Sequence, residues 1–339
     1  MTQGFAIDKG IGEMDEGVAA VDAVIKREKH PPFLVEVFTR LVKEKPLGTL
    51  GGVIVLVLFV TGIFADLLAP YGYNEADLAA TLAPPSAGHI LGTDNLGRDL
   101  LSRIIYGARI SMYVGLGVAT LGTLLCTIIG GVSGFFGGKI DIVIQRFVDA
   151  VMCFPGVVIV LTVIAVIGPG LWQVILVLGV LGGIGGRARV VRSAVISIKE
   201  NVYIEAARAV GAPNRAIFVR HILPNITAPV IILFTIEMGN AILAEATLSF
   251  LGFGIPPPTP SWGGMLSGSG RQYMLYAPWM ALWPGLALAI AVYGMNMLGD
   301  ALRDILDPRL RGGLGRYRRG GERRIAMTKS ERSTAKSAE

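Results

Sequence analysis

"YIEAARAVGAPNRAIFVRHILPN", residues 203–225, lies between two of the most apolar stretches of the chain and carries Glu205, Arg208, Arg215, Arg220 and His221. Good helix formers (Glu205, Ala206, Ala207, Arg208, Ala209) precede Gly211, where a left-handed residue closes a helix. Pro213 suits the first turn of a second helix, because its missing N–H would be unpaired there in any case. Pro224 disfavours helical geometry in the residue before it, so the second piece is expected to end near Leu223. Neither piece reaches the ~12–15 residues that an isolated helix needs to be marginally stable in water. Both must be ordered by packing, with Ile217, Phe218 and Ile222 facing a bundle and Glu205, Arg208 and Arg215 left for a partner.

The rest of the chain says what the bundle is. Of 339 residues, 52% are hydrophobic and 17% charged, and the mean hydropathy is +0.59. That balance is too apolar for a soluble domain and implies a polytopic membrane protein. The 45 glycines suit a packed membrane bundle, where small residues let helices approach closely. Pro46 to Ala65 is an uncharged run long enough to span ~30 Å of hydrocarbon. Ile110–Gly138 is a second such run. Ala150–Gly186 is long enough for two spans and is divided by "GPG" at 168–170, which reads as a turn. Runs at about 226–250 and 278–300 complete six expected transmembrane helices. Cys126 and Cys153 both fall in apolar runs and read as small buried hydrophobes rather than a disulfide. No cleavable leader is expected before the first span, which reads as uncleaved.

Loop charge orients the expected bundle. With the N-terminus inside, the inner segments hold 26 Lys/Arg and the outer ones only Arg98, Arg103 and Arg271. Both termini and the 187–224 loop are therefore expected to be cytoplasmic. The basic tail "RLRGGLGRYRRGGERR" suits contact with anionic lipid rather than nucleic acid, since it is fixed beside a membrane.

The charged stretch also resembles a known signature. Glu205-Ala206-Ala207, three residues, Gly211, a nine-residue gap and then His221-Ile222-Leu223-Pro224 in the place of I-x-L-P resembles the EAA loop of permease subunits of binding-protein-dependent ABC importers. The one departure is His221, where that family usually has isoleucine. "HILGTDNLGRDLLSRIIYGARISM" (89–112), "ATLSFLGFGIPPPTPSWGGML" (246–266) and "NMLGDALRDILDPRL" (296–310) resemble the dipeptide, oligopeptide and nickel class, closest to its second, C-type permease. The likeness runs from about residue 35 to 312.

The resemblance implies an all-α integral membrane protein with six transmembrane helices, the type I ABC importer permease fold and a cytoplasmic coupling-helix loop. It divides the chain into a cytoplasmic extension (1–34), the first span with an extracytoplasmic segment (35–106), the permease domain (107–303) and a basic cytoplasmic tail (304–339). The family's ATPase-coupling residues correspond here to Glu205, Ala206, Ala207, Arg208, Gly211, Leu223 and Pro224. The implied partners are a second homologous permease, two cytoplasmic ABC ATPase subunits, an extracytoplasmic solute-binding protein and the lipid bilayer. The implied cargo is di- or oligopeptides, with nickel chelates or other small solutes as the alternative.

Other motifs narrow the chemistry. A P-loop requires G-x-x-x-x-G-K-[ST], and "SGFFGGKID" (133–141) lacks both the first glycine and the hydroxyl. The chain is therefore expected to be no enzyme and to bind no cofactor, ATP and Mg²⁺ being held by the partner ATPases. "GTDNLGRD" (92–99) reads as an outer turn with an ion pair, and His30, His89 and His221 share no metal-ligand spacing. Glu237, Ala241 and Glu245 recur on one face of the fifth span with Asn240 alongside. That face either lines a translocation path, or its glutamates bond to small-residue backbones or to Arg109 or Arg146. Asp141 suits a helix N-terminus and Arg146 can pair with Asp149. A proton-coupled carrier using Glu237, Glu245 and Asp300 is the rival reading, but it leaves the 203–225 stretch unexplained.

Overall fold

The structure, a computed structural model, describes residues 33–306. Most of the expected N-terminal extension, His30, and the basic tail from residue 307 onward lie outside the described residues. Within them the chain is helical, and its β pairing is confined to two isolated bridges, Ala76 with Arg98 and Thr93 with Asp99.

Helix α1 (Phe33–Glu44) leads into the first long apolar helix, α2 (Pro46–Ile63), followed by a single extra turn, α3 (Ala65–Leu68). The centre of the bundle is α4 (Leu100–Phe136), 37 residues or about 55 Å at the α-helical rise. It begins ten residues before the uncharged run at Ile110, so Arg103 and Arg109 belong to the helix rather than to its flank. Each has partners that offset part of the cost of its charge. Arg103 donates to Tyr73 O at 2.8 Å and approaches Asp94 at 3.6 Å, while Arg109 donates to Gly62 O at 2.9 Å and Asp66 at 2.7 Å. The hydrogen bond from Arg109 holds the Asp66 carboxyl below its ordinary range. A scan for uncharged residues cannot see such pairing.

The connection 69–99 is an irregular layer over that end of α4. Asp99 caps the helix by accepting from Ser102 N at 2.8 Å, and it also meets His89 Nδ1 at 3.0 Å. The expected ion pair in the 92–99 turn joins Asp94 to Arg98 at 2.7 Å.

The third apolar region departs from a simple pair of spans. Helix α5 (Gly138–Met152) turns by 83° into α6 (Gly156–Ile167), and α7 (Leu171–Ile184) turns by 43° into α8 (Gly186–Lys199). Gly168 does turn the chain between α6 and α7, with φ +88°. At ~1.5 Å per residue, α6 and α7 alone fall short of ~30 Å of hydrocarbon. Residues 187–199, read from sequence as loop, are instead a direct helical continuation. Cys153, expected buried, is exposed at the first bend; Cys126 is buried, and both are free.

After the 203–225 element, described below, come α12 (Thr227–Phe250), two short turns α13 (Trp262–Leu266) and α14 (Gly268–Gln272), and α15 (Trp279–Leu306), which contains Pro284. Among the described residues, four helices (α2, α4, α12 and α15) are long and apolar enough to cross a membrane. Counting each bent pair as one crossing brings the number to six.

Packing is dominated by close backbone approach. α4 contacts α2, α7, α8 and α12, while α15 contacts α2 and α12. A Cβ on Gly130 would come within 2.3 Å of Ala188 O, and one on Gly51 within 2.7 Å of Gly294 O. At these crossings dispersion and close fit, rather than water exclusion, hold helices together in lipid. Polar ties fix the shorter helices: Arg192 grips Asp141 with hydrogen bonds at 2.6 and 2.5 Å, and Arg189 pairs with Asp149. Asp141 thus has a specific partner beyond the helix dipole, and Asp149 meets Arg146 only at 3.6 Å.

Candidate functional site

The 203–225 stretch folds as a clamp at the far end of α4 from the 69–99 layer. Helix α9 (Val202–Ala209) ends at Gly211, whose φ is +86°. Gly211 N donates to Arg208 O at 2.9 Å and Ala212 N to Ala207 O at 3.0 Å, the paired closing bonds of a Schellman turn. A non-glycine residue would hold this conformation only under strain.

The second piece differs from expectation. Asn214–Ile217 (α10) passes into a π-helical turn over Phe218–Ile222 and on into Leu223–Asn225 (α11), so helix continues past Pro224. Proline removes one donor from the regular ladder, and the wider i→i+5 turn ahead of it absorbs that mismatch. Asn225 Nδ2 then donates to His221 O at 2.6 Å.

Two faces result. Ile204, Ile217, Ile222 and Ile226 are each 0% exposed and pack with Cys126, Phe135, Ala188, Val191 and Val195 of α4 and α8. Phe218 stacks edge-on against Phe135 with ring centroids 5.3 Å apart. The opposite face carries Glu205, Ala206, Arg208, Gly211, Arg215, Leu223 and Pro224, all exposed, with Ala207 partly buried between the two. His221 is half-buried with its ring centroid 6.3 Å from that of Tyr203. Ile204 and Ile226 anchor the clamp as firmly as the expected Ile217 and Ile222. Their i+3/i+4-type spacing to neighbouring apolar residues was the available signal.

The membrane acids separate into two environments. Glu245 is 1% exposed and accepts from Ser249 Oγ at 2.6 Å; Ser249 Oγ in turn accepts from Ile255 N at 3.2 Å. It ties the 251–261 turn to α12. Glu237 instead pairs with Arg187, the second residue of α8. Neither acid meets Arg109 or Arg146, because those arginines bind Asp66 and Asp149. Glu237, Asn240 and Arg187 line a cavity of about 250 Å³ whose other walls include Val118, Val160, Leu178 and Ala241. Val118 lies at mid-length of α4, so the cavity sits near half the height of the bundle. Glu245 does not line it. Arg187 was the polar group that sequence reasoning missed, since its position after an uncharged run reads as the start of a loop.

A second cavity of about 290 Å³ lies at the 69–99 end, lined by Asp94, Arg98, Arg103, Ser249 and Ser261 among others. Its charges already satisfy one another, which marks it as the joint that holds the 251–261 turn against α4.

Comparison with known proteins gives this arrangement a family. Residues 126–312 match the family model described as binding-protein-dependent transport system inner membrane component, and residues 33–85 match the N-terminal TM domain of oligopeptide transport permease C. The chain is 41% identical over 276 residues to the dipeptide transport system permease protein DppC of Alkalihalophilus pseudofirmus, covering 81% of this chain and 90% of that protein. It is 38% identical, with the same coverage, to the glutathione transport system permease protein GsiD of Escherichia coli. Matches to both models and at this identity leave one assignment: the chain belongs to the inner-membrane permeases of binding-protein-dependent ABC importers.

Proposed function

We propose that this permease carries di- or oligopeptides inward, that both termini and the 203–225 clamp face the cytoplasm, and that the clamp's exposed face docks on an ATPase subunit. A second homologous permease closes the path beside it. Two ATPase subunits hold the ATP and Mg²⁺, an extracytoplasmic binding protein delivers the solute, and this chain itself catalyses nothing. The single observation that carries the reading is the two-faced clamp: one face is sealed into the bundle, and the other offers Glu205, Arg208 and Arg215 to a partner. The names of the relatives support peptides as the cargo.

The mechanism follows from how the clamp is tied. ATP-driven closure of the ATPases moves α9–α11, and the buried isoleucines transmit that motion to α8 without slack. Arg192 and Arg189 make α5 move with α8. The bend at Gly185 lets this lever swing relative to α7. Such a bistable element, biased by the nucleotide state, is what coupling requires.

The test is uptake. Proteoliposomes containing the four-subunit complex and its binding protein are expected to accumulate a labelled dipeptide mixture only when ATP is supplied on the clamp side. Accumulation without ATP would contradict the importer mechanism, and ATP hydrolysis with no peptide accumulated would contradict the cargo.

A further inference from the structure

Arg187 and Glu237 stand apart from the other ion pairs of this chain. They face a mid-height cavity with otherwise uncharged walls, and they join the two parts that the lever must separate: Arg187 rides on α8 and Glu237 on α12. Glu237 is 4% exposed, and Arg187 Nη1 is buried with no hydrogen-bond partner among the described residues. The space they occupy is reserved by Gly182. A Cβ there would lie 2.5 Å from Arg187 Nη1 and 2.9 Å from Glu237 Oε1.

We propose that this pair is a charge latch that opens to take the two ends of a zwitterionic peptide, the terminal carboxylate at Arg187 and the terminal ammonium at Glu237. The inference rests on the peptide reading above and adds to it a recognition site. While the latch is closed, the two charges balance each other and the cavity carries no net charge. When α8 swings, both charges lose their partner, Glu237 where it is almost wholly buried and Arg187 where it is 26% exposed, and the stranded carboxylate above all disfavours the open state. A ligand carrying one charge of each sign restores both pairings. It therefore binds the open state better than the closed one, which is the condition for a ligand to shift such an equilibrium. Apart from Asn240, the remaining walls, among them Val118, Val160, Leu178 and Ala241, are apolar and carry no charge to select a side chain. The site reads the ends of the peptide and tolerates what lies between.

The experiment compares the wild-type complex with Glu237→Gln and with the double exchange Arg187→Glu/Glu237→Arg, in proteoliposomes supplied with saturating peptide-loaded binding protein. Glu237→Gln is expected to lower dipeptide uptake about tenfold or more while assembly and ATP hydrolysis persist, as for loss of one member of a desolvated pair. The double exchange rebuilds the pair with opposite polarity, so the complex should assemble and hydrolyse ATP. Uptake by the wild-type complex of a dipeptide acetylated and amidated at its ends should fall about tenfold or more relative to the free dipeptide; undiminished uptake of the blocked dipeptide would show a merely structural pair and overturn the proposal. So would undiminished uptake in Glu237→Gln, or an exchange variant that fails to assemble. A wild-type complex that moves no dipeptide would instead defeat the cargo reading on which the latch rests.

Discussion

Replacing Gly211 by proline is expected to abolish coupled uptake while leaving the permease folded in the membrane. Gly211 has φ +86°, whereas proline is confined near −65°, so the Schellman turn cannot form. The substitution also deletes the donor to Arg208 O at 2.9 Å. Left-handed strain alone amounts to about 1–2 kcal/mol for a non-glycine residue, and proline adds the lost hydrogen bond. A Cβ at this position meets nothing within 4 Å, so the damage is conformational and local to the junction between α9 and α10. ATP-driven uptake in proteoliposomes should fall at least about tenfold, the equivalent of ~1.4 kcal/mol lost from coupling. Gly211→Ala should show a milder defect of the same kind. Wild-type uptake by the proline variant would mean that the turn plays no part in transmission.

The second large effect is on assembly. Gly130→Val places a branched side chain where a single Cβ already comes within 2.3 Å of Ala188 O and 2.8 Å of Val191 Cβ. The obstacle is backbone, which cannot rotate away, so α4 and α8 must part. Overpacking of this kind costs about 1–3 kcal/mol or more, and here it also lifts the floor on which Ile204 and Ile217 sit. Thermal unfolding of the purified complex should show a lower midpoint, together with reduced recovery of the ATPase subunits. Gly88→Val is the control: nothing lies within 4 Å of that position and no shift is expected.

The sequence displayed some of this architecture plainly and hid other parts for identifiable reasons. The clamp was legible because Gly211 and Pro213 punctuate it and because its isoleucines recur on one helical face. The passage of helix through Pro224 was not, since a π turn is a compromise between neighbouring constraints that no residue announces. The first and last spans were visible as uncharged runs. The start of α4 was hidden behind Arg103 and Arg109, whose guanidinium groups find hydrogen-bond acceptors in Tyr73 O, Gly62 O and the Asp66 carboxylate, far away in the chain. The two bent helix pairs were hidden because an apolar run shows length but not direction. Glu237 was singled out correctly as a buried acid worth explaining. Its partner Arg187 was overlooked because a cation after "GGIGG" reads as the end of a membrane segment, when it is the second residue of a helix that continues.

The claim on which the rest depends is that the exposed face of α9 meets a nucleotide-hydrolysing subunit. Arg208→Cys, in a chain whose exposed Cys153 is replaced by serine, offers a single thiol on that face for a short bifunctional crosslinker. A covalent adduct with the ATPase subunit is expected in native membranes, its yield changing when ATP is trapped, and none is expected from a cysteine at the sealed Ile204. An assembled, transporting complex in which the residue-208 thiol never captures that subunit would contradict the claim.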